Sequence, residues 1–385
     1  MHQIENENGS LADLLNKVQQ NQSLKEDYTA PTGDLQLVTK VTEDGEQNVP
    51  EVILENSGGV PTKIFRANDV ALQQIASKSE IDIRTVRRLR DKYPSELDTV
   101  INAIWQKEPK GVMLRTFVDT DNATGGSSNT GVLRALTSSS YKVFDNEDVL
   151  QTTLPQLMNS EANWQVVNGT VTDQRMYLRL KSLTQVDEAA VGDTMANGLL
   201  ISNSEVGMGS VNVQQLIYTL ACLNGMQTEN KSRSTHVTSS RGTDTWSILT
   251  NEAKQADNQA LSLKLRDVVT NFADRSTFDR VIEQMKIAHA EKVDAPLPQA
   301  VDTLCGILKL PKSDNNKILD GLMATLQQSG YNHGSPSRAT FVNAVTAVGN
   351  QSGTLEDNRE DWSRLGGKVL NLPASQWHAV AGVAA

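Results

Sequence analysis

Residues 172–183, TDQRMYLRLKSL, alternate along the chain in a pattern that only an extended strand can use. Successive strand side chains point to opposite faces, so Met176, Leu178 and Leu180 share one side. Arg175, Tyr177, Arg179 and Lys181 share the other. A strand with one apolar face demands partners in a sheet and a second layer to cover it. Short apolar runs at 112–118, 131–137, 141–144 and 198–203 supply the partners.

Helical spacing occupies the flanks. Asn68 and Asp69 suit a helix start, and Val70, Leu72, Ile75 and Ala76 recur at helical intervals. A turn at 79–82 leads to a second helix over 83–92. Pro94 then opens a third that runs to about residue 106. Asp145 and Asn146 cap a helix that continues to 158. After a short strand at 211–213, a helix is expected up to Leu223, where Asn224 and Gly225 end it. From Thr250 the pattern is helical, broken at Pro296, Pro298 and Pro311.

The expected fold is α+β, a central mostly antiparallel sheet with packed helices. Along the chain this gives a flexible acidic arm over 1–60, with a short helix at 11–20 and a strand at 35–41. A three-helix unit over 61–110 and a sheet domain over 111–250 follow. A helical part over 251–350 and a tail over 351–385 complete the chain.

Charge separates these parts. The net charge is −10, but residues 1–60 hold 3 basic and 11 acidic side chains, whereas residues 63–118 hold 11 basic and 7 acidic. An acidic total leaves room for nucleic-acid binding only on a defined local surface. No run approaches the roughly 20 apolar residues of a membrane span, and the polar start does not read as a signal peptide, so a cytoplasmic protein is expected. Cys222 and Cys305 lie in apolar helical settings and read as buried thiols. The five histidines are isolated from one another and from both cysteines, so neither metal nor other cofactor is implied.

Two features point to DNA. The string ALQQIASKSEIDIRTVRRLRDKYP fits a helix-turn-helix. Ala71, Ile75 and Ala76 would pack against Ile81, Val86 and Leu89, leaving Arg84, Arg87, Arg88 and Arg90 for phosphates and guanines. The turn carries Ser79 where glycine is common. The basic face of the 172–183 strand, with Tyr177 among its cations, would suit a single strand stacked on a sheet. Arg134, Lys231, Arg233 and Arg241 would extend that path. The Gly207-Met208-Gly209 run within 203–210 lacks the spacing of a nucleotide loop and reads as a turn or bulge. Glu205, His236 and Ser204 are the residues a hydrolase would use, but no nucleophile elbow or metalloprotease motif orients them.

The order of the strings QIASKSEIDIRTVRRL, YPSELDTVINAIWQ, LRTFVDT, GVLRALTSSSYKVFDNEDVL, GLLISNSEVGMGS and YTLACLNGM resembles the phage/plasmid-like proteins of domain-of-unknown-function family 932. The resemblance spans residues 69–349 and ends with the string at 343–346. It implies a mobile-element protein of bacteriophage or plasmid and carries no assigned activity. The helical unit is richer in arginine than the family pattern. Together these readings predict a non-enzymatic DNA-binding accessory of recombination or replication that prefers single strands. The alternative is an acidic module, imitating DNA, that inhibits a host nuclease or restriction enzyme. A homo-oligomer is compatible with either.

Overall fold

The computed structural model describes residues 5–6, 11–41, 47–55, 62–120, 127–220, 224–234, 250–327, 335–349 and 356–383. The chain is α+β, built on two six-stranded sheets. It starts with β1 (Glu5–Asn6), α1 (Leu11–Ser23), β2 (Lys25–Pro31), β3 (Leu35–Val41), β4 (Asn48–Leu54) and β5 (Lys63–Ala67). The helices α2 (Asp69–Lys78), α3 (Ile83–Lys92) and α4 (Pro94–Lys107) follow, then β6 (Gly111–Thr120) and β7 (Ser127–Ser138). Strands β2-β6-β7-β5-β4-β3 form the first sheet; every pair is antiparallel except β5 and β7.

The expected flexible arm is corrected here. Among the described residues, 11–41 and 48–54 are ordered parts of the fold. Leu35, Leu37, Val52 and Leu54 fall at alternate strand positions and bury against Ile101 and Trp105 of α4. Asn102 closes the seam, accepting from the Leu37 amide and donating to its carbonyl, both at 2.8 Å. The acidic residues misled because a two-faced strand can alternate Glu with Val and lose nothing.

The second sheet follows α5 (Asn146–Asn159) and contains β8 (Trp164–Val171), β9 (Met176–Ala190), β10 (Asp193–Asn203), β11 (Val211–Thr219) and β12 (Asn224–Ser234). Its order is β1-β8-β9-β10-β11-β12, antiparallel apart from β1 and β8. So the single central sheet of the sequence reading is two. The helix expected up to Leu223 is strand β11 as far as Thr219. Val213, Leu216, Ile217 and Leu220 have helical spacing, but strands buried on both faces lose their alternation and mimic it. One face of this sheet carries Met176, Leu178, Leu180, Leu199, Ile201 and Val213 under α1, α5 and α6 (Asn251–Phe272). The other holds Tyr177, Leu200, Leu216 and Tyr218. Gly198 is required beneath the last of these, since a Cβ there would meet the Tyr218 ring at 2.5 Å.

Six further helices make the C-terminal part: α7 (Arg275–Ala290), α8 (Leu297–Leu308), α9 (Ser313–Gln327), α10 (Arg338–Gly349), α11 (Glu356–Leu370) and α12 (Ala374–Ala381). The expected tail over 351–385 therefore contributes two packed helices. Val369 and Trp377 are buried in the same core as Phe278, Leu304 and Phe341. Gly367 lets α11 lie against β12, where a Cβ would strike the carbonyl of Gln227. Cys305 is buried in this core, and burial pushes its thiol up to about 11. Cys222 lies outside the described residues. Among the described residues no helix is long and apolar enough to cross a membrane.

Candidate nucleic-acid interface

The helical unit forms as its sequence dictates. Asn68 caps α2 by accepting from the Ala71 amide at 2.9 Å. Ala71, Ile75, Ala76 and Val86 are fully buried, and Ile81 and Leu89 pack against them. The turn between the helices places Glu80 in the left-handed region, at φ 57°. That is the backbone state for which such turns usually use glycine. Lys110 holds the residue there, donating to the Glu80 carboxylate at 2.8 Å and to the Lys78 carbonyl at 2.9 Å. Residue 80, one after the serine singled out from the sequence, is the special position. Asp82 then caps α3, accepting from the amides of Arg84 at 2.9 Å and Thr85 at 3.3 Å.

Helix α3 buries one side chain, Val86, and exposes Arg84, Thr85, Arg88, Asp91 and Lys92. Arg84, Arg88 and Lys92 succeed each other at four-residue steps and so form one line along the helix. None of the three makes a hydrogen bond or ion pair with another described residue. Arg87 differs: its Nη2 donates to both carboxylate oxygens of Asp69, at 2.9 and 2.7 Å. Asp69 is partly buried, which raises its carboxyl, but hydrogen bonds from Arg87 and Gln73 outweigh this and hold it below the usual range. Arg90 pairs with its neighbour Asp91.

The strand face is a correction. Alternation does place Tyr177, Arg179 and Lys181 together, but they are 0, 3 and 7% exposed. An open platform for stacked bases needs accessible rings and cations, and this sheet face is covered. The sequence pattern could not separate a covered polar face from a wet one. Arg175 is tied down by the Met208 carbonyl, which accepts from Nε at 3.0 Å and Nη2 at 2.6 Å, and its Nη1 lies 3.4 Å from Glu360. Lys231 and Arg233 lie on β12 with side chains outside the described residues. Arg241 and His236 fall outside them entirely.

Arg134 belongs to neither surface. It sits in a buried ion cluster where the two sheets meet, its Nη2 2.6 Å from Glu205 and its guanidinium over the Phe117 ring at 4.0 Å. Lys25 bridges Glu205 at 2.6 Å and Asp145 at 3.2 Å. Arg115, with no exposed side-chain surface, reaches Asp145 at 2.8 Å, Asp27 at 3.2 Å and the Glu205 carbonyl at 2.9 Å. Three cations thus face three carboxylates. Burial raises the carboxyls of Asp145 and Glu205, yet their cationic neighbours win and hold both below the ordinary range. Asp27 goes the other way, because burial outweighs its contact with Arg115. The Glu205 carboxylate also accepts from the Asn146 amide at 2.8 Å, and the Ser204 hydroxyl is bonded to the Gln174 carbonyl. Neither residue is poised as a base or nucleophile. Sequence reasoning missed this cluster because its members come from six separate segments.

The turn over 203–210 links these regions. Gln74 of α2 donates to the Val206 carbonyl at 2.7 Å and accepts from the Leu136 amide at 2.7 Å. Val70, Ala135 and Val206 pack together beside Met208. No family model, curated protein or solved structure matches the chain.

Proposed function

We propose that this is a DNA-binding protein that reads duplex DNA with α3 in the major groove, in the manner of a helix-turn-helix recognition helix. The observation that carries the reading is the line of Arg84, Arg88 and Lys92 on a helix that buries only Val86. A groove about 12 Å wide admits one helix with its side chains. Residues 84 to 92 rise by about 12 Å, enough to reach bases with the first turn and phosphates with the last. Arginine suits this place because its planar fork meets guanine or phosphate through two donors.

The reading keeps the DNA partner expected from the sequence and moves it from a single strand on a sheet to a duplex on a helix. The resemblance to mobile-element proteins fits such a role by context alone.

Fluorescence anisotropy of labelled duplex and single-stranded oligonucleotides, titrated with the full chain at several salt concentrations, tests it. Salt-sensitive binding that favours the duplex is expected. The Arg84→Glu, Arg88→Glu double variant should weaken it and flatten the salt slope by about 2, roughly 0.9 per lost phosphate contact. Equal affinity of the double variant would remove α3 from the interface. Single-strand preference that survives the double variant would return attention to the second sheet.

A further inference from the structure

A cleft of about 440 Å³ opens between the second sheet and α11, on the face opposite the α5 and α6 layer. Its floor is a cross-strand pair, Ser202 of β10 opposite Asn212 of β11, with Gln214 one step along. Gln174, Arg175 and the Met208–Ser210 turn form one wall, and Glu360, Asp361 and Arg364 the other.

The charges in this cleft are already matched. Glu360 meets Arg175 at 3.4 Å and Arg364 at 3.2 Å, and Asp361 meets Arg364 at 3.0 Å. Two guanidiniums and two carboxylates cancel, so an anion would meet carboxylates as close as the arginines, and a cation the reverse. Met208 is the one apolar side chain among the lining residues, and no aromatic ring is there to stack on a flat base.

The neutral groups remain. Ser202 is 4% exposed, and its hydroxyl has no hydrogen-bond partner among the described residues. The side-chain amides of Asn212 and Gln174 have none either. Gln214 donates to the Thr228 carbonyl at 3.2 Å, which leaves its own carbonyl oxygen toward the cleft. A buried polar group without a partner costs free energy unless water or a ligand supplies one. A hydroxyl and amides converging on one concavity can both donate and accept, and the ligand that answers both demands is itself a set of hydroxyls.

We propose that this cleft binds a small neutral polyhydroxylated compound, with Ser202, Asn212 and Gln174 as its hydrogen-bonding partners. The same chemistry occurs in a free sugar or polyol and in the ribose of a nucleoside. The site stands independently of the DNA reading, since it shares no residue with α3.

Saturation-transfer NMR on the full chain, with D-glucose, myo-inositol and adenosine offered separately, is the test. Transfer to ring protons of glucose or inositol assigns the site to a free polyol, and transfer to the ribose protons of adenosine assigns it to a nucleoside. Asn212→Ala and Gln174→Ala should each weaken the bound compound by about tenfold, the worth of one good hydrogen bond. Both positions are half-buried, so unchanged thermal melts will confirm that the fold is kept. No transfer from any of the three compounds would overturn the proposal. So would transfer confined to the adenine base, or transfer that both variants leave intact.

Discussion

Arg84 and Arg88 on α3 and Arg115 and Arg134 at the sheet junction are the same residue in opposite situations. On α3 the guanidiniums stand in water beside no carboxylate. At the junction Arg115 is wholly buried and shared between Asp27 and Asp145, and Arg134 is held by Glu205. The free arginines cost the fold nothing and remain available to a partner. The buried ones are committed, because a charge removed from water must be neutralised on the spot. Arginine content alone therefore says little about an interface. The carboxylates around each guanidinium decide.

Four experiments would break or sharpen this contrast. The largest effect belongs to the junction. Glu205→Ala leaves Lys25 and Arg134 buried without their shared carboxylate, and breaking a buried pair in this way costs roughly 3–5 kcal/mol. Urea denaturation should show that loss; a midpoint close to that of the parent would mean the cluster is not structural.

Next comes α3. Arg88→Ala should weaken duplex binding by about 1–3 kcal/mol if its fork contacts a guanine, with no change in the denaturation midpoint. Anisotropy and urea melts on the same preparation separate the two readouts. A variant that melts early would place Arg88 in the fold after all.

A pH series probes the junction more gently. Asp145 and Glu205 have folded-state pKa values below their ordinary 3.8 and 4.5. Groups shifted down stabilise the fold above those ordinary values, and that contribution disappears as pH falls through the depressed values. Asp27, shifted up, opposes this in part, since its protonation in acid relieves a burial penalty. With two carboxylates against one, the melting temperature should drop as pH falls below about 4.5. Glu205→Gln should flatten that drop, and a parent curve with no acid slope would contradict the assignment.

The smallest effect is expected at the exposed pair. Arg87→Ala removes the contact to Asp69, but ion pairs this open to solvent contribute roughly 0–1 kcal/mol. A loss as large as that of Glu205→Ala would erase the distinction between the two environments.

Much of the local structure was readable. The caps at Asn68 and Asp82 and the spacing of Ile75, Ala76, Ile81, Val86 and Leu89 specify two short helices and the turn between them. Period-two alternation placed Tyr177, Arg179 and Lys181 on one face of a strand. What it could not state is what lies above that face. The same limit explains β11, where burial on both sides replaced alternation with spacing that imitates a helix. It also explains the acidic N-terminal stretch, whose alternate apolar residues were few but sufficient once α4 covered them.

By itself, then, the sequence determined the elements whose causes lie within a few residues: caps, turns, helical stripes and the α+β character. Tertiary structure alone decided which charges are buried and which are free, that there are two sheets, and that Ser202 and Asn212 share a cleft with α11. The physical reason is separation along the chain. Lys25, Arg115, Arg134, Asp145 and Glu205 interact across distances no local pattern spans, and their meeting depends on how two sheets pack.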